Sequence, residues 1–353
     1  MTPTEFPLGF TPKGRLDIID IHAKAAEVHG ERYLAFPRHL YASKHSTAGF
    51  LPTRLADRLK ADGGVAAYID VFRQMFPENA GYRHDQLELR DELAPEQKAV
   101  EPTNADSHLA FITSGLRACV TGDIRRPGPV YLVDLDGTYK GVARNRQTTI
   151  VGYHHEEEVA RVMVDIPVSA HPIDSVNLAD TRLGVNEQIA ELIARHGVTK
   201  GRLRLELAPS EQHASLTVNE YETLLMRHDL AEVLEHPLRF ASEKVRHMWN
   251  DPRAVPAKAR SYARYDLPNT VNRVLDRLGI NAPGIERLIA RTLEAPASRF
   301  MRMRRQIDLL VSDSAEPGKG ELVGGTYQTP ILVQWRSAKG PSRKVEVALT
   351  RFE

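Results

Sequence analysis

The chain has 353 residues, of which 42% are hydrophobic and 26% charged, and its formal net charge is +1. This length suits one or two domains, and the composition is that of a protein with a buried core. One cysteine, Cys119, excludes an internal disulfide and a cysteine-based zinc site, and no run approaches the roughly 18–20 apolar residues of a membrane helix.

The first third of the chain predicts a strand, a helix and a polar connection. Residues 15–28 alternate in part and predict a strand. Residues 65–76 place their apolar side chains at helical spacing and predict a helix. Residues 78–107 are acidic and interrupted by proline, which is typical of an exposed connection or an inserted helix.

The middle of the chain predicts mostly strands. Residues 109–113 and 116–121 are strand-like, and residues 130–135 form an apolar run followed by Asp136-Gly137, the pair favoured in two-residue hairpin turns. Residues 185–196 predict a helix that ends at Gly197, and residues 202–207 alternate as a half-buried strand does.

Strands at the start, middle and end of the chain predict an α+β fold. In it, one mixed or antiparallel sheet is assembled from N-terminal, central and C-terminal strands. We expect an α+β core at residues 1–236 with an acidic insertion at 78–107. A basic helical subdomain would follow at 237–305, and C-terminal strands at 306–353 would complete the sheet. No internal repeat is evident.

One string suggests phosphoryl chemistry. Residues 130–138 read Val-Tyr-Leu-Val-Asp-Leu-Asp-Gly-Thr, which resembles the first motif of haloacid-dehalogenase-like phosphatases. In that family the first aspartate accepts the phosphoryl group, the second protonates the leaving group, and magnesium is held nearby. The resemblance implies these roles for Asp134 and Asp136, with Asp313 as a metal-holding carboxylate. A plain Asp-Gly hairpin explains the same string without chemistry.

Two other strings offer weaker chemistry. Residues 154–158 read His-His-Glu-Glu-Glu, but adjacent side chains diverge on a strand or a helix, so we expect no metal site there. The glycine-rich residues 318–325 include Lys319 and would let backbone amides approach a phosphate. An ordinary hairpin loop is the alternative.

The charge is unevenly distributed. Residues 239–305 contain fifteen Lys and Arg against six Asp and Glu, an excess of +9, so the rest of the chain carries −8. Guanidinium groups bind phosphates and tyrosines stack on exposed bases. The candidate nucleic-acid contacts are Arg125, Arg126, Arg253, Lys258, Arg260, Tyr262, Arg264, Arg299, Arg302, Arg304, Arg305 and Lys319.

These observations favour a cytoplasmic, nucleic-acid-binding protein over an enzyme. We expect it to bind the backbone of RNA or single strands within a larger ribonucleoprotein, with no cofactor and no membrane. One alternative is a magnesium-dependent phosphohydrolase that uses Asp134 and Asp136. A second is an assembly protein whose acidic and basic surfaces dock against other subunits or other copies of itself.

Overall fold

The structure, a computed structural model, describes residues 2–59, 64–91, 93–125, 128–242 and 303–353. The chain divides into two compact units, each built from separate stretches. Unit 1 comprises residues 1–57, 115–221 and 303–353, and unit 2 comprises residues 58–114 and 222–302. Most of the basic helical subdomain predicted at 237–305 lies outside the described residues.

Unit 1 contains two copies of one topology. We define repeat 1 as residues 4–57 with 115–153, and repeat 2 as residues 156–221 with 303–352. In both, two strands precede a helix and two further strands follow it, after which the chain enters unit 2 and returns to add the remaining strands.

The first half of the chain supplies repeat 1 and the first part of unit 2. Repeat 1 begins with β1 (Thr4–Phe10), β2 (Asp17–Asp20), α1 (Ile21–Leu34), β3 (Arg38–Ser43) and β4 (Ala48–Phe50). The helices that follow are α2 (Thr53–Leu59), α3 (Gly64–Met75), α4 (Pro95–Val100) and α5 (Ala105–Ser114). Repeat 1 then closes with β5 (Cys119–Asp123), β6 (Tyr131–Asp134), β7 (Thr138–Tyr139), β8 (Val142–Ala143) and β9 (Arg146–Tyr153).

The second half of the chain follows the same order. Repeat 2 begins with β10 (Glu156–Pro167), β11 (Ile173–Asn177), α6 (Val185–His196), β12 (Gly201–Leu207) and β13 (Ala214–Asn219). A π-helical turn (Leu225–Asp229) and α7 (Leu230–Glu235) belong to unit 2. Repeat 2 closes with β14 (Gln306–Ser312), β15 (Glu321–Val323), β16 (Thr329–Trp335) and β17 (Ser342–Phe352).

The strands of the two repeats pair in corresponding order. The sheet β1-β9-β3-β5 of repeat 1 corresponds to β10-β17-β12-β14 of repeat 2, where β15 adds a fifth strand. The sheet β2-β6-β4 corresponds in the same way to β11-β16-β13. The chain therefore contains an internal structural repeat, although none is evident in its sequence.

The predicted α+β class is confirmed, and the strand pairings within the described residues are antiparallel. The sheets do combine N-terminal, central and C-terminal strands, but they number several rather than one. Among the described helices, none has both the length and the apolar character needed to span a bilayer.

Local sequence explains the clearest elements. In α6, Ile189, Leu192 and Ile193 are buried on one face, as their helical spacing requires. The helix ends at Gly197, whose φ of 56° lies in the left-handed region that glycine adopts without strain. In β12, buried and half-buried residues alternate along the strand.

Three local predictions were wrong. Residues 15–28, predicted as a strand, contain only the short strand β2, because α1 begins at Ile21, where the Asp20 side chain caps the helix by accepting from the Ala23 amide. Residues 109–113, predicted as a strand, lie in α5, a helix buried on all sides that has no exposed face to reveal its period. Asp136-Gly137 does not form a hairpin turn between β6 and β7. The two-residue turn is instead Lys140-Gly141, which joins β7 to β8 with both φ angles positive.

Three hydrophobic clusters organise unit 1. One lies within repeat 1, around Phe6, Tyr33 and Leu132. A larger one lies mainly in repeat 2, between α6 and its sheet. The third joins the repeats, since it packs Leu40 and Tyr153 of repeat 1 with residues such as Leu310 and Phe352 of repeat 2.

Candidate functional site

The first candidate site is the aspartate pair that ends β6. The Arg146 guanidinium donates to both carboxylate oxygens of Asp134, from Nε at 2.7 Å and from NH2 at 2.8 Å. The backbone amide of Asp136 donates to Oδ1 of Asp134 at 3.1 Å. Both aspartate side chains are fully buried. Asp134 thus has the environment of a structural ion pair.

Asp136 belongs to the same network. Its carboxylate pairs with Arg144 and lies 3.9 Å from Arg15, while Arg146 donates to its backbone carbonyl. Burial, followed by the positive charge of Arg146 and its neighbours, lowers the pKa of His45 beside this network to about 4. The structure therefore surrounds both aspartates with arginines.

The carboxylate of Asp313 is also held by cations and amides. Lys200 Nζ lies 2.6 Å from Oδ1 of Asp313, and the Gly318 amide donates to Oδ2 at 3.0 Å. The described contacts of Asp134, Asp136 and Asp313 are thus with arginines, a lysine and backbone amides.

The described members of the nucleic-acid set are bound within the chain. Arg125 forms a two-point ion pair with Asp123, which lowers the pKa of Asp123 to about 2. Arg304 donates to the carbonyl of Gly115. Arg305 donates to the carbonyls of residues 207, 208 and 211, and Lys319 pairs with Glu316 at 2.9 Å.

The other eight members of that set lie outside the described residues: Arg126, Arg253, Lys258, Arg260, Tyr262, Arg264, Arg299 and Arg302. Each of the four described members contacts a group of the same chain.

A different group of polar residues, which the sequence patterns did not indicate, is buried in unit 2. Buried polar side chains are costly unless they are bonded, so such a cluster requires an explanation. Its buried members are His84, Arg90, Asp106, His108, Glu222 and Asp229, and the half-buried Asp85 and Glu101 adjoin them. Residues from both stretches of unit 2 contribute to it.

The centre of this cluster is a chain of alternating acids and bases. Arg90 binds Glu101 through NH1 at 3.1 Å and Glu222 through NH2. The other oxygen of Glu222, Oε2, lies 3.5 Å from Nε2 of His84. Nδ1 of His84 in turn lies 3.1 Å from Oδ1 of Asp85. His84 therefore stands between two carboxylates.

The loop that carries His84 is held by backbone hydrogen bonds. The amides of Arg83 and His84 donate to the two oxygens of Asp229, both at 2.9 Å. Asp85 accepts from the amide of Ala105, the first residue of α5, at 3.0 Å. Burial raises the pKa of Asp229, although these backbone amides oppose the shift. Asp229 and Asp85 thus position the His84 side chain.

Two facing atoms at the centre of the cluster have no hydrogen-bond partner among the described residues. They are Nε2 of His84 and Oε2 of Glu222, both buried. His84 is 1% exposed and Glu222 8%. The His108 ring lies beside them, its centroid 5.3 Å from that of His84. The pair thus lies between Asp85, which contacts His84, and Arg90, which contacts Glu222.

A sequence signal for this cluster exists, but it is weak. The basic residues His84, Arg90 and His108 lie in or beside an acidic stretch of the sequence. Such a mixture of ionisable side chains is typical of a functional site. The stretch was predicted to be an exposed connection or an inserted helix because acidic, proline-containing sequence is commonly exposed. The contribution of Glu222 and Asp229 from a distant segment had no local signal.

Comparisons with known proteins add only distant likenesses. No protein-family model and no curated protein matches the sequence. A YbjQ-like protein of unknown function from Sulfolobus solfataricus P2 is 17% identical over 56% of this chain and 99% of its own, with a TM-score of 0.29. A hypothetical protein from Aeropyrum pernix K1 is 16% identical over 54% and 98%, with a TM-score of 0.28.

Proposed function

We propose that the chain is an enzyme whose reaction centre is the pair His84 and Glu222 in unit 2. One observation carries the proposal: two buried, chemically reactive atoms face each other with no hydrogen bond to a described residue, while Asp85 and Arg90 hold the opposite sides of the two side chains. Buried polar groups left unsatisfied are uncommon, and they occur preferentially at functional sites.

The surroundings of the pair support a functional role. Asp85 at Nδ1 fixes the orientation of the His84 ring, and Arg90 fixes the Glu222 carboxylate. Many catalytic sites contain a histidine that is oriented by one carboxylate and faces a second reactive side chain. Arg90 is bound by carboxylates on both sides, so we assign it a positioning role.

The connectivity of the chain also supports one composite site. Each repeat of unit 1 is interrupted after its fourth strand, at β4 and at β13, and the two interruptions make up unit 2. The first contributes His84 and the second contributes Glu222. We propose a small polar molecule as the substrate, since the pair offers one imidazole and one carboxylate rather than an apolar surface.

The test is turnover of a defined mixture of small polar metabolites, including phosphate esters, carboxylic acids and amines, followed by mass spectrometry. We expect at least one compound to be consumed by the wild type and not by Glu222→Gln. The matched control is Glu211→Gln, which removes a carboxylate paired with Arg343 in unit 1 and should leave consumption unchanged. No consumption, or equal consumption by Glu222→Gln, would overturn the proposal.

The uneven charge of the chain favours a second candidate function, nucleic-acid binding. The excess of +9 over residues 239–305 remains its support, because neutralising several phosphates produces strong, salt-sensitive binding. Under this proposal the protein is cytoplasmic and binds RNA or single strands together with other subunits. In the alternative, the protein has an assembly role, and the same basic residues dock against acidic surfaces of other proteins or other copies.

A salt titration separates these possibilities. Binding of a labelled single-stranded RNA should weaken steeply between 50 and 200 mM salt, as expected when about six or more phosphates are contacted. Replacing Arg260 and Arg264 with Gln should weaken it further, while replacing the exposed Arg182 and Arg195 should not. Absent or salt-insensitive binding contradicts the nucleic-acid proposal, and salt-dependent oligomers that ignore RNA support docking between copies.

A further inference from the structure

We propose that His84 and Glu222 bind a divalent transition-metal cation, with Zn²⁺ as the probe of choice. The inference rests on the proposed function in that it assigns a cofactor to the same pair. It is carried by three features: the electronic state and separation of the two facing atoms, the partners on their far sides, and the charge beside them.

The first feature is the electronic state of the facing atoms. The carboxylate of Asp85 only accepts, so Nδ1 of His84 carries the proton that it shares with Asp85. In the neutral ring, Nε2 then presents its lone pair toward Oε2 of Glu222, which is also a lone-pair donor. Two buried electron pairs directed at each other repel, unless a positive species lies between them.

The separation of the two atoms matches that of two ligands on one ion. Zinc binds nitrogen and oxygen at about 2.0–2.2 Å, so two ligands at a tetrahedral angle lie about 3.4 Å apart. His84 Nε2 and Glu222 Oε2 are 3.5 Å apart. The gap therefore has the width that a shared cation requires.

The second feature is the set of partners behind these atoms. A metal-binding histidine usually donates its other ring N–H to a carboxylate, and ligating carboxylates are themselves hydrogen-bonded. Asp85 is the carboxylate that accepts from the other ring nitrogen of His84, and Arg90 is the group that binds the other oxygen of Glu222. Both expected supports are thus present, and both are held by further contacts, to Ala105 and Glu101 respectively.

The third feature is the negative charge beside the pair. Among the described residues, the carboxyl group of Asp85 contacts His84, and that of Asp229 accepts from the His84 amide. A divalent cation between His84 and Glu222 would offset part of this charge. A nitrogen ligand together with carboxylate favours zinc and its neighbours over magnesium or calcium.

His108 is the residue that we test as a third ligand. Two imidazoles on one tetrahedral ion have ring centroids about 5 Å apart, from the same bond lengths. The His84 and His108 centroids are 5.3 Å apart, with their planes inclined at 57°. His108 is 1% exposed and begins the second turn of α5, which presents it from a rigid element.

The experiment titrates the full chain, freed of metal by dialysis against EDTA, with ZnCl₂ in a calorimeter. We expect one equivalent to bind the wild type. His84→Gln and Glu222→Gln should abolish this binding, while Asp85→Asn should weaken it about 10–100-fold through the histidine. His108→Gln should also weaken binding if His108 ligates. The controls are His39→Gln and Glu211→Gln in unit 1, which should bind as the wild type does.

A second readout covers variants that fail to fold. The metal-free wild type, titrated with CoCl₂, should develop visible absorption typical of four- or five-coordinate cobalt and should melt at a higher temperature. Absence of stoichiometric Zn²⁺ and Co²⁺ binding, or wild-type affinity in folded His84→Gln and Glu222→Gln, would overturn the metal site. Turnover of a metabolite by metal-free protein would overturn it too, while leaving the proposed function intact. Metal binding without any turnover would uphold the site and reject the proposed function.

Discussion

Arg146 binds Asp134 through two parallel hydrogen bonds, and the two side chains are 4% and 0% exposed. Removing one member of a buried pair leaves the other as an uncompensated charge, which costs about 3–5 kcal/mol. We therefore expect Asp134→Asn to lower the free energy of unfolding by this amount, measured by urea denaturation. The same variant would have removed the nucleophile of a phosphatase.

The exposed pair of Asp180 and Arg182 provides the control. These side chains also form a two-point ion pair, but Arg182 is 87% exposed. Exposed pairs contribute little because water screens them, so Asp180→Asn should leave the unfolding midpoint unchanged. If Asp134→Asn proved as stable as the wild type while abolishing a phosphatase activity, the catalytic interpretation would replace the structural one.

Gly325 of repeat 2 packs directly against the backbone of Lys44 in repeat 1, so a side chain at position 325 has no space. A Cβ at Gly325 would overlap the backbone carbonyl of Lys44, whereas a Cβ at the neighbouring Gly324 meets nothing closer than 3.8 Å, at Gln328. Overpacking against a rigid backbone costs typically 1–3 kcal/mol. We expect Gly325→Ala to lose about this much stability and Gly324→Ala to lose little. Faster hydrogen exchange at residues 324–328 in Gly325→Ala, but not in Gly324→Ala, would show that the loss of stability arises at this contact.

His39 makes stability depend on pH. Burial lowers its pKa to about 4, and the hydrogen bond to the Tyr33 carbonyl opposes this only in part. In the unfolded chain the value returns to about 6.5. Between pH 6.5 and 4 the unfolded state therefore binds the proton more readily, so stability falls as the pH falls, by up to about 3 kcal/mol for this residue.

The variant His39→Gln tests the assignment. It should reduce the slope of unfolding free energy against pH between 6.5 and 4 by the share of one histidine, while His45, whose pKa is also lowered to about 4, keeps its own share. The exposed His155 is the matched control, and His155→Gln should keep the wild-type slope. A wild-type slope in folded His39→Gln would show that other groups carry the pH dependence.

Leu310 connects the two repeats through a shared core. It is fully buried and packs with Leu40 and Val151 of repeat 1 and Phe352 of repeat 2. Leu310→Ala should cost about 2–5 kcal/mol, with coincident transitions by circular dichroism and fluorescence if the repeats unfold together. Val142→Ala, at an exposed position, should cost nothing measurable. Separate transitions in the wild type would show that the repeats unfold independently.

Much of the local structure follows from neighbouring residues. The period of the apolar residues and Gly197 predicted α6, and strict alternation predicted β12; both are confirmed. These predictions succeeded because each element has one buried face and one more accessible face. Where burial is complete, as in α5, the pattern disappears, and the apolar residues 109–113 predict a strand.

Other features depend on which distant segments meet. The resemblance to a phosphatase motif depends only on the sequence of residues 130–138. The ion pairs that hold its two aspartates are formed by Arg144 and Arg146, which lie outside that motif. Likewise, the two repeats share their order of strands although their sequences show no evident repetition. Topology is preserved by backbone pairing, which many different side chains allow.

By itself the sequence determined the α+β class, several helices and strands, and the concentration of positive charge in residues 239–305. These depend on composition and on short-range periodicity, which are properties of the linear chain. Only the tertiary structure decided that His84 and Glu222 face each other. Their meeting requires two excursions, one from each repeat, to pack together, and no local pattern specifies a contact between segments so far apart.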